Sequence, residues 1–145
     1  MRDDGTGVKI EFKNKEDDPS YLAMCLAEEL QNNIYFEADM RAFSERSGIE
    51  RDKAREMENW IKQVMERREL RERQARGEDV VIKARRMDPL DTFDPGALAT
   101  QRDQHLRQAE EFRVKALQAS EKALRAKQKA DDLSRRIREL NKASA

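Results

Sequence analysis

Apolar side chains recur along most of this chain at intervals of three and four residues, the spacing of α-helices that bury one side. The first helix is predicted to begin at Asp18-Pro19, because aspartate caps a helix well and proline fits its first turn. Asn32-Asn33 is expected to end this helix early, and a short second helix at 38–47 is expected to end at Ser47-Gly48. The N-terminal part of the chain is therefore predicted to be a small group of helices.

A third helix is predicted to begin near Glu50 and to end at Gly77. Its second half carries almost only charged side chains, so it is expected to extend into solvent. A proline-bearing connector over residues 77–94 follows and places Leu90 and Phe93 on an acidic background. These two side chains are predicted to contact a protein surface, either a partner's or that of the chain's own helices.

The last helix is predicted to run from Pro95 to about residue 141, and it carries the strongest pattern in the sequence. Alternate steps of four and three residues from Leu98 to Leu140 meet an apolar side chain at every position from Ala109 onward. A strict seven-residue apolar repeat predicts a left-handed coiled coil. The predicted interface residues of this C-terminal seam are Ala109, Phe112, Ala116, Ala119, Ala123, Ala126, Ala130, Leu133, Ile137 and Leu140.

Alanine fills five successive positions of the C-terminal seam, which lets helix axes approach closely but buries little apolar surface per heptad. A second stripe of Leu106, Leu117 and Leu124 flanks the seam and suits contact with more than one helix. The partner of the seam is left open: the helix at 50–76 folded back, the same helix in another copy, or a different protein. Because the last helix would be roughly 70 Å long, the shorter helix would leave much of it uncovered, and an intermolecular contact is expected.

Two short segments have the composition of strands. Val8, Ile10 and Phe12 alternate with charged residues, as in a half-buried strand. The β-branched triplet at 80–82 is a candidate mate for residues 8–12, and two extended arms without a sheet are the other interpretation. In both cases the predicted fold class is all-α, with a small N-terminal helical unit and a long C-terminal coiled-coil helix. The predicted segments are an extended polar arm, the helical unit, the connector and the coiled-coil helix, at residues 1–18, 19–76, 77–94 and 95–141.

Residues 43–59, FSERSGIERDKAREMEN, place a turn glycine between apolar residues at set distances. The positions that carry this pattern are Phe43, Ser44, Gly48, Ile49, Ala54 and Met57. The segment resembles the second half of a helix-turn-helix of the lambda-repressor-like type. The resemblance implies a recognition helix from about residue 50, whose Arg51, Lys53 and Arg55 would contact DNA. A helix–turn–helix corner without a DNA role is the other interpretation.

Composition limits the size of the core. Only 37% of the 145 residues are hydrophobic and 41% are charged, whereas globular domains are nearer half apolar and a quarter charged. The net charge is zero, but residues 1–40 hold 4 basic and 10 acidic side chains, net −6, and residues 101–145 hold 12 and 7, net +5. This gradient suits contact between the acidic part of one copy and the basic part of another, or contact with an acidic partner.

The sequence contains no arrangement of residues typical of a catalytic, cofactor or metal site. The only histidine, His105, occupies a position of the C-terminal seam, and the only cysteine, Cys25, fits a reduced compartment. No apolar stretch approaches the length of a membrane span, and the first residues lack the apolar run of a secretory signal. We therefore expect a protein without enzymatic activity or cofactor, located in the cytoplasm or in a particle assembled there.

Taken together, these patterns predict a structural or assembly protein, a scaffold or adaptor. It would form an oligomer or a subunit of a larger complex through coiled-coil contacts of residues 98–140 with a protein partner or with a second copy. The alternative is a helix-turn-helix DNA-binding protein, a regulator or a small DNA-recognition subunit, that dimerises through its C-terminal helix. This alternative predicts binding to duplex DNA that weakens as salt rises.

Overall fold

A computed structural model describes residues 17–83 and 88–144, and over these residues the fold is all-α. Helix α1 spans Pro19–Ala75 and helix α2 spans Pro95–Ser144. The connector between them contains a 3-10 turn at Pro89–Asp91. Over the same described residues, neither helix contains a stretch that is both long and apolar enough to cross a membrane.

The two aspartate–proline pairs begin the two helices as predicted. The backbone N–H of Ser20 donates to Oδ1 of Asp18 at 3.0 Å, and the N–H of Gly96 donates to Oδ1 of Asp94 at 3.1 Å. Each aspartate thus satisfies an N–H group that has no partner inside the helix, and the proline that follows has no N–H to satisfy.

The end of α1 near Gly77 is also confirmed. Gly77 adopts φ 87°, a left-handed conformation that costs glycine little because it lacks a Cβ atom. The N–H of Gly77 donates to the carbonyl of Gln74, and the N–H of Glu78 donates to that of Arg73. These two bonds form a Schellman motif, which satisfies the last carbonyls of the helix and turns the chain away from its axis.

The two breaks predicted inside this region, at Asn32-Asn33 and Ser47-Gly48, are wrong, because α1 is continuous from Pro19 to Ala75. The three predicted helices are therefore one. Residues that are alternately four and three positions apart form one face of α1, and this face continues through both predicted breaks. Some of these residues are polar. The residues of this α1 seam are Leu22, Leu26, Glu29, Asn33, Phe36, Met40, Phe43, Ser47, Glu50, Ala54, Met57, Ile61 and Val64. Packing of one face along the whole helix outweighs the weak helix propensity of asparagine, serine and glycine.

The chain divides into two compact units. The first unit comprises Met1–Met40 and Leu117–Ala145, and the second comprises Arg41–Ala116. In the first unit the segments of α1 and α2 pack antiparallel, since Asn33 contacts Ala123 while Asp17 contacts Arg136 further along α2. The buried apolar side chains of this unit are Leu22, Ala119, Ala123, Ala126 and Ala130.

The second unit is also an antiparallel helix pair, and it includes the connector. Ser47 contacts Ala109, and Glu58 contacts Arg102. The buried residues of this unit are Ala54, Val64, Leu98, Ala109 and Ala116, together with the polar Ser47 and Arg67. In each unit, therefore, the C-terminal seam packs against α1 of the same chain.

This packing answers one question that the sequence left open. The expectation that the chain's own helix is too short to cover the last helix is wrong, because α1 has 57 residues. The predicted strand mate at 80–82 is in neither a helix nor a strand, and its proposed partner at 8–12 lies outside the described residues.

Candidate protein-interaction surface

The predicted interface residues of the C-terminal seam fall into two groups. The six alanines are buried against α1 within their units, with at most 7% of each residue exposed. The remaining four, which are larger, are half-buried: Phe112, Leu133, Ile137 and Leu140. The seam thus holds the helix pair together, and contact of the same residues with another protein remains a prediction.

Polar side chains of the α1 seam bind the backbone of α2 directly. The Nδ2 atom of Asn33 donates to the carbonyl of Ala123 at 2.7 Å, and the Oγ atom of Ser47 donates to that of Ala109 at 2.8 Å. These carbonyls also belong to the α2 helix, and a carbonyl oxygen has two lone pairs with which to accept. Such short bonds to a backbone require a close approach, which the alanine side chains allow. Asn33 and Ser47 could have been recognised in the sequence as contact residues, because both occupy positions of the α1 seam.

Glu50 and His105 form a hydrogen-bonded polar layer inside the second unit. Nδ1 of His105 lies 2.5 Å from Oε2 of Glu50, whose side chain is only 13% exposed. The hydrogen bond from His105 lowers the pKa of the Glu50 carboxyl, and the nearby Lys53 ammonium lowers it further against the opposing effect of burial. His105 thus occupies its predicted seam position, and its partner is a residue of α1.

The three residues predicted to contact DNA do not share a surface. Arg51 and Arg55 line a shallow depression of about 350 Å³ together with Arg102 and Leu106. Lys53 lies about 200° around the helix from each of these arginines, at about 100° per residue. The helix-turn-helix corner at 43–59 is wrong because α1 is continuous there. Binding of nucleic acid by these residues stays a prediction, without the corner on which it was based.

Phe93 in the connector packs on the chain's own helix. Its ring meets the indole of Trp60 edge-on, with centroids 5.5 Å apart. Leu90 lies in the 3-10 turn and is half-buried. Phe93 therefore contacts its own chain, which is one of the two surfaces predicted for this segment, and contact with a partner stays a prediction.

Arg67 holds the connector against α1. Its guanidinium lies 2.9 Å from a carboxylate oxygen of Asp88 and 3.3 Å from one of Asp91, and it also donates to the carbonyl of Lys83. Arg67 is buried, with 8% of its surface exposed. Because the guanidinium presents several donors in a fixed plane, it can satisfy two carboxylates and a carbonyl together.

An apolar surface remains exposed beside the filled seam of the first unit. The side chains of Leu30, Ile34, Leu117 and Leu124 are 50%, 62%, 51% and 56% exposed. Each of them directly follows a seam residue, and so do the exposed Ala23 and Ala27. We call this set the apolar lateral face: Ala23, Ala27, Leu30 and Ile34 on α1, with Leu117 and Leu124 on α2.

The two helices contribute to this face from the same side because they are antiparallel. In an antiparallel helix pair, residues that follow seam positions on both helices point to one side of the pair. The second unit illustrates this geometry: Arg51 and Glu58 of α1 and Leu106 of α2, which all follow seam positions, line one depression.

The opposite side of the first unit is charged. Lys122, which precedes a seam alanine, places its ammonium 5.8 Å from the centre of the Phe36 ring. Arg136, which also precedes a seam residue, pairs with Asp17 at 2.5 Å. Over the described residues of the first unit, Leu30, Ile34, Leu117 and Leu124 therefore lie on the side away from Lys122 and Arg136.

Among residues 17–83 and 88–144, no group of three or more histidine, cysteine, aspartate or glutamate side chains is arranged to hold a metal ion. No protein-family model, curated protein or solved structure matches this chain.

Proposed function

We propose that this protein is a non-enzymatic assembly protein, a scaffold or adaptor, which binds another protein chain through the apolar lateral face. It would act as an oligomer or as a subunit of a larger complex. The observation that carries the proposal is the half or greater exposure of Leu30, Ile34, Leu117 and Leu124 on one side of a helix pair whose seam is already filled. We further propose a location in the cytoplasm or in a particle assembled there, to which the free thiol of Cys25 is suited.

Physical chemistry supports a binding role for this face. Covering a large aliphatic side chain completely stabilises a protein by about 1.5–3 kcal/mol. Exposed aliphatic side chains are ordinary when they are scattered singly, whereas a contiguous group with a charged rim marks interaction sites. Here four aliphatic side chains and two alanines share one side of one helix pair. The function therefore requires no reactive group, only a partner that covers this surface.

A pair of photo-crosslinking variants tests the proposal. Ile34 and Tyr35 are neighbours with similar exposure, 62% and 58%, but they lie about 100° apart around α1. Each is replaced in turn by the photoreactive residue benzoylphenylalanine, and the protein is irradiated in the cells that produce it. We expect a discrete protein adduct from position 34 and a much weaker one, or none, from position 35. Equal yields from both positions would refute the proposal.

A further inference from the structure

We draw no further inference here: the strongest candidate, the apolar lateral face of the first unit, is the surface on which the proposed function already rests, and nothing in the structure shows what covers it.

Discussion

Replacement of a single seam alanine by a larger residue measures how closely the helices are held together. Ala123 is 5% exposed, and its carbonyl accepts the hydrogen bond from Asn33 at 2.7 Å. In Ala123→Leu, three additional carbon atoms must enter a contact where a side chain already reaches the opposite backbone. The helices can only separate locally or force the leucine into a strained rotamer.

The sign of the effect depends on two opposing contributions. If the leucine could be buried without strain, its additional carbons would stabilise the fold by about 0.8 kcal/mol each, or roughly 2.4 kcal/mol. Overpacking of a filled core costs about 1–3 kcal/mol, and loss of the Asn33 hydrogen bond costs about 0.5–1.5 kcal/mol more. Because the bond from Asn33 to the Ala123 carbonyl is short, the leucine cannot be buried without strain. We therefore expect Ala123→Leu to lower the free energy of unfolding by about 2–4 kcal/mol.

Urea denaturation followed by circular dichroism measures this difference. Ala38→Leu is the matched control, because Ala38 lies in the same unit on an exposed position of α1. It should change the free energy of unfolding by no more than about 0.5 kcal/mol. The dependence on urea should keep its slope in both variants. If Ala123→Leu stabilised the protein, the seam would not be a close contact and the argument from the alanines would be wrong.

Three further predictions concern the second unit. Because the pKa of Glu50 is lowered mainly by its hydrogen bond with His105, the ionised Glu50 carboxylate adds stability above the ordinary glutamate pKa of 4.5, and this stability is lost as the pH falls through the lowered value; urea denaturation between pH 3 and 7 should show a smaller loss of stability in Glu50→Gln, and identical pH profiles would contradict this. Arg67→Met removes the guanidinium that joins Asp88 and Asp91 to α1 and should lower the free energy of unfolding by about 1.5–3 kcal/mol, while trypsin cleaves the connector faster; an unchanged cleavage rate would show that Arg67 does not hold it. Phe93→Ala removes the ring against Trp60, so the tryptophan emission should shift to longer wavelength, and an unshifted spectrum would mean that the indole is not covered by this ring.

The helix ends and the C-terminal seam could be predicted from the sequence because their causes are local. Asp18 and Asp94 bond N–H groups two residues away, and Gly77 supplies a conformation that other residues avoid. The alanine repeat of α2 likewise identifies its own buried side. Each of these features depends on residues that are close in sequence.

The continuity of α1 could not be predicted from local preferences. Asn33 and Ser47 are typical of helix ends because their side chains can bind nearby backbone groups. In the folded chain these side chains bind carbonyls of α2 that are 90 and 62 residues away. The expected helix end at Asn32-Asn33 also separates Ile34 from the other α1 residues of the apolar lateral face. The α2 part of this face, Leu117 and Leu124, was visible as a second stripe.

The hydrogen-bonded layer of Glu50 and His105 also favours one alignment of the two helices in the second unit. Apolar contacts have no fixed direction, so a shift of one helix by a heptad would replace many apolar seam contacts with other apolar contacts. In the second unit such a shift would set the Glu50 carboxylate against Leu98 or Phe112 instead of His105, and a largely buried carboxylate without a partner costs several kcal/mol. The hydrogen bond between Glu50 and His105 therefore opposes sliding of one helix along the other in the second unit.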